Sequence, residues 1–222
     1  MTSRQALLDT LSQVGRALSN GHRLALLERL AQGKAPVETL VESTGLTVGN
    51  ASQHLQQLRR AGLVTAERSG KQMIYRLTDE RIVTLMDLMR QVAETNLAEM
   101  ERLVGRLFDE GDSEGALESV SRDELRSALK AGSVALLDVR PEDEFEAGHL
   151  PDAINIPLDR LESWLDRVPK DKDIVAYCRG PYCVMSHEAA QRLRKLGYRV
   201  RRFEEGVPEW KAAGLPVVEA EA

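Results

Sequence analysis

The stretch G-L-T-V-G-N-A-S-Q-H-L-Q-Q-L-R-R-A-G-L-V, residues 45–64, decides the fold of the first half of the chain. Gly45 makes a tight turn after a short helix, Thr47 can cap a longer helix, and Gly62 terminates that helix. A short helix, a turn that contains glycine and a longer helix are typical of a helix-turn-helix. The stretch therefore predicts this motif, with its second helix over residues 48–61.

The segments on either side extend the motif to a mainly-α winged helix. Apolar residues at helical spacing predict two earlier helices, over residues 4–18 and 20–32. After the motif, residues 63–67 and 72–77 alternate apolar and polar side chains around the basic turn 68–71. This alternation predicts a β-hairpin, which is the wing.

The second helix of the motif has an apolar face and a polar face. The apolar residues, which we expect in the core, are Val48, Ala51, Leu55 and Leu58. The polar face offers uncharged donors and acceptors near the helix start, where recognition helices contact base edges. These candidate base contacts are Asn50, Ser52, Gln53, His54 and Gln57. A single helical histidine is more often a packing residue than a base contact, so both roles stay open for His54.

Basic side chains lie beside this polar face and on the hairpin. They are within reach of DNA phosphates, where they would position the protein without reading sequence. The candidates are Arg59, Arg60, Arg68, Lys71 and Arg76. A merely solvated helix face is the alternative, and the hairpin directly after the helix favours DNA binding.

Residues 79–108 form the longest periodic stretch of the chain. Apolar residues recur every three or four positions, and Asn96 interrupts them; they are Ile82, Leu85, Met89, Val92, Met100, Leu103 and Leu107. A heptad-like stripe of this kind is typical of helices that pair. We therefore predict a homodimer through residues 79–108, with intramolecular packing as the alternative. A twofold dimer would present two recognition helices to a palindromic operator.

Three segments of this half resemble the ArsR/SmtB family of winged-helix repressors. They are A-L-S-N-G-H-R-L-A-L-L at 17–27, the stretch at 45–64, and G-K-Q-M-I-Y-R-L-T at 70–78. The resemblance covers about residues 4–107 and implies a dimeric repressor of double-stranded operator DNA. Many members of the family respond to metals through cysteines before the turn or histidines on the dimer helix. Residues 37–44 have no Cys and residues 79–108 no His, so we expect no metal site and no cofactor.

The charge of the chain divides it into two unlike halves. Residues 1–106 carry 14 basic and 11 acidic residues, whereas residues 107–222 carry 16 and 24. A basic half before an acidic half suits a DNA-binding domain joined to a domain of another function. The longest apolar runs fall far short of the roughly 20 residues of a membrane helix, and the N-terminus lacks a signal pattern. We expect a cytoplasmic protein with no membrane contact.

A run of small and acidic residues marks a linker between two domains. We assign residues 1–108 to the winged helix-turn-helix domain, 109–116 to the linker and 117–222 to a second domain. There, strand-like apolar runs at 134–139, 173–177 and around Val200 alternate with helical patterns at 121–131, 158–168 and 186–196. This alternation predicts an α/β domain with a central parallel sheet.

Cys178 follows the strand at 173–177 and precedes a loop that leads into a helix near Ser186. A helix N-terminus and the N–H groups of a curled loop stabilise an anion at such a place. We therefore expect a Cys178 thiolate, with its pKa lowered by about two units from about 8.5. The predicted anion-binding loop consists of Arg179, Gly180, Pro181, Tyr182 and Val184. An inert core cysteine is the alternative.

Four segments of this half, in order, resemble the rhodanese family. They are L-L-D-V-R at 136–140, E-F-E-A-G-H-L-P-D-A-I-N-I-P at 144–157, Y-C-R-G at 177–180 and G-V-P-E-W-K-A-A-G-L-P-V at 206–217. The resemblance covers about residues 117–219 and implies a rhodanese-like domain. It implies that Cys178 takes sulfane sulfur from a donor and holds it as a persulfide. It also implies framework roles for Asp138, Arg140 and His149. Many relatives place glycine three positions after the cysteine, whereas here Gly180 is two after.

Cys183 gives the loop a second thiol. On a curled loop, two cysteines five positions apart can approach within the roughly 4–7 Å between Cα atoms that a disulfide allows. Cys183 would then resolve a persulfide on Cys178, and a small loop residue is the alternative. We predict a repressor that binds operator DNA as a dimer and senses reactive sulfur or redox state through Cys178. A sulfurtransferase with an accessory DNA-binding domain and an arsenic-responsive regulator remain open.

Overall fold

A computed structural model describes residues 2–109, 117–168, 170 and 172–219. The chain forms two compact units, one within residues 1–86 and the other within residues 87–222. Of the predicted linker, residues 110–116 lie outside the described residues. Within the described part, no helix is long and apolar enough to cross a membrane.

Four helices build most of the first unit, and they confirm the helix-turn-helix. They are α1 (Ser3–Leu18), α2 (Gly21–Ala31), α3 (Val37–Thr44) and α4 (Val48–Arg60). Gly45 ends α3 at φ +67°, a left-handed conformation that glycine adopts without strain. The Thr47 side chain then accepts a hydrogen bond from the Asn50 N–H and caps α4.

The wing follows α4 as an antiparallel hairpin. It consists of β2 (Val64–Ser69) and β3 (Gln72–Leu77), with Val64 opposite Leu77 and Ser69 opposite Gln72. A two-residue strand that the sequence analysis did not predict, β1 (Ala35–Pro36), pairs with the other edge of β3. Proline has no backbone N–H to donate, and an edge strand tolerates it because its outer side does not pair with another strand.

The core of the first unit lies between the helices and the sheet. Its fully buried side chains include Leu26, Leu27, Leu40, Leu55 and Leu58. Val48, which the helical spacing assigned to this core, is 58% exposed. That assignment was wrong because Val48 occupies the first turn of α4, beyond the end of the apolar face that begins at Ala51.

The predicted helix over residues 79–108 is interrupted. The structure has α5 (Arg81–Asn96) and α6 (Ala98–Asp109), with Leu97 between them. The Asn96 side chain donates a hydrogen bond to the Val92 carbonyl and so closes the last turn of α5. The division of the chain between the two units falls within α5, after Met86, so the rest of α5 and all of α6 belong to the second unit.

The second unit contains the predicted parallel sheet. Its strands are β4 (Ser119–Val120), β5 (Val134–Asp138), β6 (Ile154–Asn155), β7 (Asp173–Tyr177) and β8 (Val200–Phe203). The strand order is β4-β8-β7-β5-β6, and every neighbouring pair is parallel. Separate apolar clusters cover its two faces, as parallel sheets require.

The helices of this unit are α7 (Arg122–Ala131), α8 (Glu142–Ala147), α9 (Val184–Lys195) and α10 (Val207–Ala212). The predicted helix over residues 158–168 was wrong, because the segment forms two short 3₁₀ turns, Leu158–Arg160 and Glu162–Arg167. Trp164 leaves the helical path at φ −116°, and the Arg167 guanidinium stacks 3.9 Å from the centre of its ring.

Candidate functional site

Cys178 lies directly after β7, at the carboxyl edge of the sheet, and is only 1% exposed. Its sulfur lies 3.1 Å from the Ser186 hydroxyl oxygen and 3.5 Å from the Cys183 carbonyl oxygen. Ser186 is fully buried in the first turn of α9. The strand end and the helix start therefore enclose the thiol from two sides.

The loop after Cys178 is curled and tightly held. Gly180 has φ +146°, and its carbonyl accepts a hydrogen bond from the Cys183 N–H at 3.1 Å. Gly206, which precedes α10, lies so close to the loop that a Cβ there would be 2.6 Å from the Arg179 carbonyl. The close approach at Gly206 fixes the path of the loop backbone past Cys178.

Cys183 is the N-terminal cap residue of α9, and its side chain lies within hydrogen-bonding reach of Cys178. The hydrogen bond from the Cys178 thiol lowers the pKa of Cys183 to about 6, and the backbone N–H groups of Arg179 and Met185 add to this. Burial raises the pKa of Cys178 well above its ordinary value. The expectation of a lowered pKa at Cys178 was therefore wrong, because burial of this thiol outweighs the hydrogen bonds from Ser186 that lower its pKa.

The Arg179 side chain connects the cysteine loop to α8. Its guanidinium makes a two-pronged ion pair with Glu144 of α8, with a closest distance of 2.5 Å. Glu144 is 5% exposed, so this ion pair ties the loop to the body of the domain. Besides the backbone N–H of Arg179, the charge of its guanidinium makes a weaker contribution to the lowered pKa of Cys183.

A buried arginine that the sequence analysis missed lies behind the loop. Arg202 of β8 is 6% exposed; its Nε donates to the Ser186 hydroxyl at 3.1 Å and its Nη2 to the Pro181 carbonyl at 2.6 Å. Arg202 therefore holds the loop in place, and the Ser186 hydroxyl connects it to Cys178. Arg202 lies in a strand, where no helical or loop pattern in the sequence marks it as a site residue.

The residues for which the resemblance implied framework roles make contacts within the body of the domain. The Arg140 guanidinium pairs with Asp138 at 2.6 Å, and both side chains are fully buried. The His149 Nδ1 lies 2.9 Å from the Phe145 carbonyl oxygen, and its ring stacks on the Phe145 ring. These contacts occupy the four side chains in holding the ends of β5 and α8 together.

The cysteine loop also contacts the segment that the sequence analysis assigned to dimerisation. The Tyr182 hydroxyl donates to Glu94 Oε1 of α5 at 2.7 Å. The ring of Phe108 in α6 lies 5.2 Å from that of His187 in α9, and the Arg202 guanidinium stacks 4.3 Å from the Phe108 ring centre. The sequence gave no signal for these contacts because they join residues far apart in the chain.

Most of the candidate DNA contacts lie on the surface of α4 and the wing. The exposed ones are Asn50, Gln53, Gln57, Arg59, Arg60, Arg68, Lys71 and Arg76, and Ser52 is half-buried. Gln57 is partly engaged, because its Oε1 accepts a hydrogen bond from Arg23 at 2.7 Å. The remaining residues form one polar face next to a basic hairpin tip.

His54 lies apart from this polar face. Its half-buried ring is 5.7 Å from that of His22, and its Nδ1 is buried without a hydrogen-bond partner. Burial, followed by the charges of Arg23 and His22, lowers the pKa of His54. The packing role that the sequence left open fits this environment better than base contact does.

Among the described residues, no group of three or more His, Cys, Asp or Glu side chains is placed to hold a metal ion. Cys178 and Cys183 are both free thiols, so the arrangement offers the chemistry of a thiol pair in which Cys178 is buried and Cys183 half-buried.

Two family models match separate parts of the chain. A helix-turn-helix domain matches residues 18–67, and a rhodanese-like domain matches residues 121–213. These matches cover the polar face of α4 and the cysteine loop. They define a class of protein in which a DNA-binding domain precedes a rhodanese-like domain.

The HTH-type transcriptional regulator Rv0324 of Mycobacterium tuberculosis is 44% identical over 216 residues, which are 97% of this chain and 93% of that protein. The chain therefore belongs to the ArsR/SmtB family of winged-helix transcriptional regulators, in a form that carries a C-terminal rhodanese-like domain. A sulfurtransferase of Allochromatium vinosum is 36% identical over 89 residues, 40% of this chain and 81% of that protein.

A solved structure similar to the first half is the homodimeric winged helix-turn-helix domain of a possible ArsR-family regulator from Mycobacterium bovis. It is 40% identical and covers 45% of this chain and 92% of its own, with a TM-score of 0.41.

Proposed function

We propose that this regulator is a sulfur-responsive repressor: a dimer binds operator DNA in the cytoplasm, and modification of the Cys178–Cys183 pair changes its affinity for the operator. The observation that carries the proposal is the hydrogen bond from Tyr182 to Glu94. Tyr182 directly precedes Cys183 in the loop, and Glu94 lies on α5, which continues into the winged-helix unit. A change at the thiols thus has a short path to a helix shared by both units.

The polar face of α4 supports binding to duplex DNA. Asn50 and Gln53 are exposed near the start of α4, where side chains can reach base edges in the major groove. Arg68 and Lys71 lie at the exposed tip of the wing, where their charges suit phosphate contacts. Curated relatives of this half include a protein named the repressor SmtB of M. tuberculosis.

Exposed apolar side chains support dimerisation. On α5, Leu88 and Val92 are 53% and 63% exposed, and on α1, Leu7 and Leu11 are 71% and 67% exposed. Clusters of large apolar residues on a surface mark interaction sites. We therefore extend the proposed interface beyond residues 79–108 to include α1, whose leucines the sequence analysis had treated only as helix-forming.

The thiol pair gives the loop two chemical states. In the reduced state, the Cys178 sulfur lies 3.1 Å from the Ser186 hydroxyl oxygen and within hydrogen-bonding reach of Cys183. A persulfide adds an atom to a tightly enclosed site, and a disulfide replaces the thiol hydrogen bonds with a covalent bond. Either change alters the loop at Cys183. Because Tyr182 directly precedes Cys183, the hydrogen bond from Tyr182 to α5 changes as well.

Gel shifts of operator DNA test this function. Reduced and polysulfide-treated protein are compared in the wild type and in the double variant Cys178→Ser, Cys183→Ser. We expect treatment to change the affinity of the wild type and leave that of the double variant unchanged. Equal affinities for reduced and treated wild-type protein would rule out sulfur sensing.

A working sulfurtransferase is the second candidate, and the similarity to the A. vinosum sulfurtransferase favours it. Cyanide-dependent release of thiocyanate from thiosulfate distinguishes the two. Many turnovers per subunit support the enzyme, whereas about one thiocyanate per subunit supports the sensor. The burial of Cys178 favours the second outcome, because a residue that is 1% exposed is poorly accessible to repeated attack on a donor.

A further inference from the structure

We propose that Gln57 contacts DNA as a hydrogen-bond donor only, and that Arg23 is the residue that positions it. Its ligand is an acceptor atom of duplex DNA, either on a base edge or on a phosphate. The inference rests on the proposed binding of operator DNA and specifies how one side chain of α4 takes part in it.

Arg23 lies in α2, and its guanidinium is held at three points. The residue is 9% exposed; its Nε donates to the Ala17 carbonyl at 2.5 Å and its Nη2 to the Arg16 carbonyl at 2.8 Å. Both carbonyls belong to the last turn of α1, where helix carbonyls lack N–H partners within the helix. The third bond runs from Arg23 Nη1 to Gln57 Oε1 at 2.7 Å. Arg23 therefore ties the Gln57 side chain to two other helices.

This bond decides which way the Gln57 amide faces. A guanidinium carries donors only, so the amide atom that faces it must be the carbonyl oxygen. The Nε2 group carries two N–H donors, and it makes no hydrogen bond to any residue in the described part of the chain. Gln57 lies on the exposed surface of α4. The side chain therefore turns its acceptor towards the protein and presents its donors to solvent.

Gln57 shares one side of α4 with the candidate base contacts near the helix start. Asn50, Gln53 and Gln57 recur at spacings of three and four residues, so they lie along one side of the helix, and all three are exposed. Arg60, which is also exposed, extends this side by a further turn. If this side of α4 enters the major groove, Gln57 reaches the DNA together with Asn50 and Gln53.

The orientation limits what Gln57 can bind. A free glutamine reads adenine with both atoms of its amide, because the oxygen accepts from N6 and the nitrogen donates to N7. With Oε1 turned towards Arg23, this two-pronged contact is lost and donation remains. Guanine O6 and N7, thymine O4 and phosphate oxygens are acceptors that such a donor can bind. Gln57 therefore favours an acceptor-only partner over adenine.

Binding of fluorescently labelled duplexes to the reduced full chain tests this contact. The probes are a duplex selected from random sequences with the wild type and an unrelated duplex of equal length. In Gln57→Met, which removes both donors, we expect affinity for the selected duplex to fall about fivefold, as for one neutral hydrogen bond. A loss confined to the selected duplex identifies a base edge, and an equal loss on both identifies a phosphate. Unchanged affinity for both would overturn the contact.

A second variant leaves Arg23 in place. Gln57→Glu keeps an acceptor for the guanidinium and replaces the donors with a second oxygen, so an acceptor would face an acceptor on the DNA. The matched control is Gln56→Glu, which puts the same charge on the neighbouring exposed residue, about 100° away around α4. We expect Gln57→Glu to lose at least threefold more affinity than the control. Equal losses would contradict a directed contact at Gln57.

A double-variant cycle tests the positioning role. In Arg23→Met, we expect affinity for the selected duplex to fall about threefold, because Gln57 loses the group that orients it. In the Gln57→Met background, the same change should have less than a twofold effect. Equal losses in both backgrounds would show a merely structural role and overturn the positioning. If Arg23→Met does not fold, Arg23→Lys, which keeps a cation near the α1 carbonyls, replaces it in the cycle.

These outcomes separate the inference from the proposed function. If the wild type selects no duplex, the proposed DNA binding fails. If the wild type binds its selected duplex and responds to polysulfide, while Gln57→Met and Gln57→Glu bind as the wild type does, only the role of Gln57 fails.

Discussion

At the scale of single residues, Arg202 is a buried cation next to the cysteine loop. Its guanidinium is buried, donates to Pro181 and Ser186, and lies over the Phe108 ring. Burial lowers the pKa of Arg202, while the charges of Cys178 and Glu204 raise it. A cation in this position favours negative charge on nearby sulfur and holds the loop in its curled form.

Replacement of this arginine tests that role. In Arg202→Met, we expect alkylation of Cys183 at pH 6.5 to fall about twofold, because loss of roughly 1 kcal/mol of charge stabilisation raises the pKa of Cys183. Unfolding in urea should also show a loss of about 2 kcal/mol, since two buried acceptors lose a charged donor.

The matched control is Arg201→Met. Arg201 is the preceding residue of β8, and it forms an ion pair with Glu124 at the protein surface. An equal drop of Cys183 reactivity in the two variants would show that Arg202 acts on the fold alone.

At the scale of elements, the periodic segments could be predicted from sequence and the contacts between them could not. Helices α2 to α4, the hairpin and the central strands β5 and β7 follow local patterns of apolar residues and caps. The two-residue strands β1, β4 and β6 are too short to produce a pattern, and the break at Leu97 has no proline or glycine to mark it.

The candidate site residues also divide into those that local sequence patterns predict and those that depend on contacts between distant segments. Cys178, Cys183 and the loop were recognisable because their spacing is local. Which cysteine carries the lowered pKa could not be read from the sequence, since it depends on backbone N–H directions around a closed loop. Likewise, Arg179 pairs with Glu144, 35 residues away, and the parallel sheet brings the two together.

The contact between the loop and α5 yields a prediction at this scale. In Tyr182→Phe, which removes only the hydroxyl that donates to Glu94, we expect reduced protein to bind the operator as the wild type does. The change in affinity on polysulfide treatment should shrink at least threefold, because the modified loop loses its bond to α5. Fluorescence anisotropy with labelled operator measures both affinities.

The control for this variant is Tyr198→Phe, which removes the same atom from a half-buried tyrosine near the opposite edge of the sheet. A full response to polysulfide in Tyr182→Phe would show that the signal takes another path.

The apolar face of α1 yields a second prediction. In Leu11→Glu, we expect a monomer at micromolar concentration and operator binding weakened at least tenfold, because a charge would be buried in the proposed dimer interface. Sedimentation velocity measures the assembly state. Gln13→Glu places the same charge on an exposed position of α1 and should remain dimeric. A dimeric Leu11→Glu protein would exclude α1 from the interface.

At the scale of the whole molecule, one chain joins a DNA-binding unit and a thiol-bearing unit. The helix α5 belongs to both, and it carries the acceptor of the bond from the cysteine loop. If thiol chemistry changes operator affinity, thermodynamic linkage requires that operator binding change the thiol equilibrium by the same factor.

The most direct test of this coupling is the reduction midpoint of the Cys178–Cys183 disulfide, measured with and without saturating operator DNA. The operator is first selected from random duplexes with reduced protein. We predict a shift of about 30 mV for each tenfold difference in operator Kd between the reduced and the bridged protein. Identical midpoints in the presence and absence of operator would contradict the account, because the thiol pair would then be uncoupled from DNA.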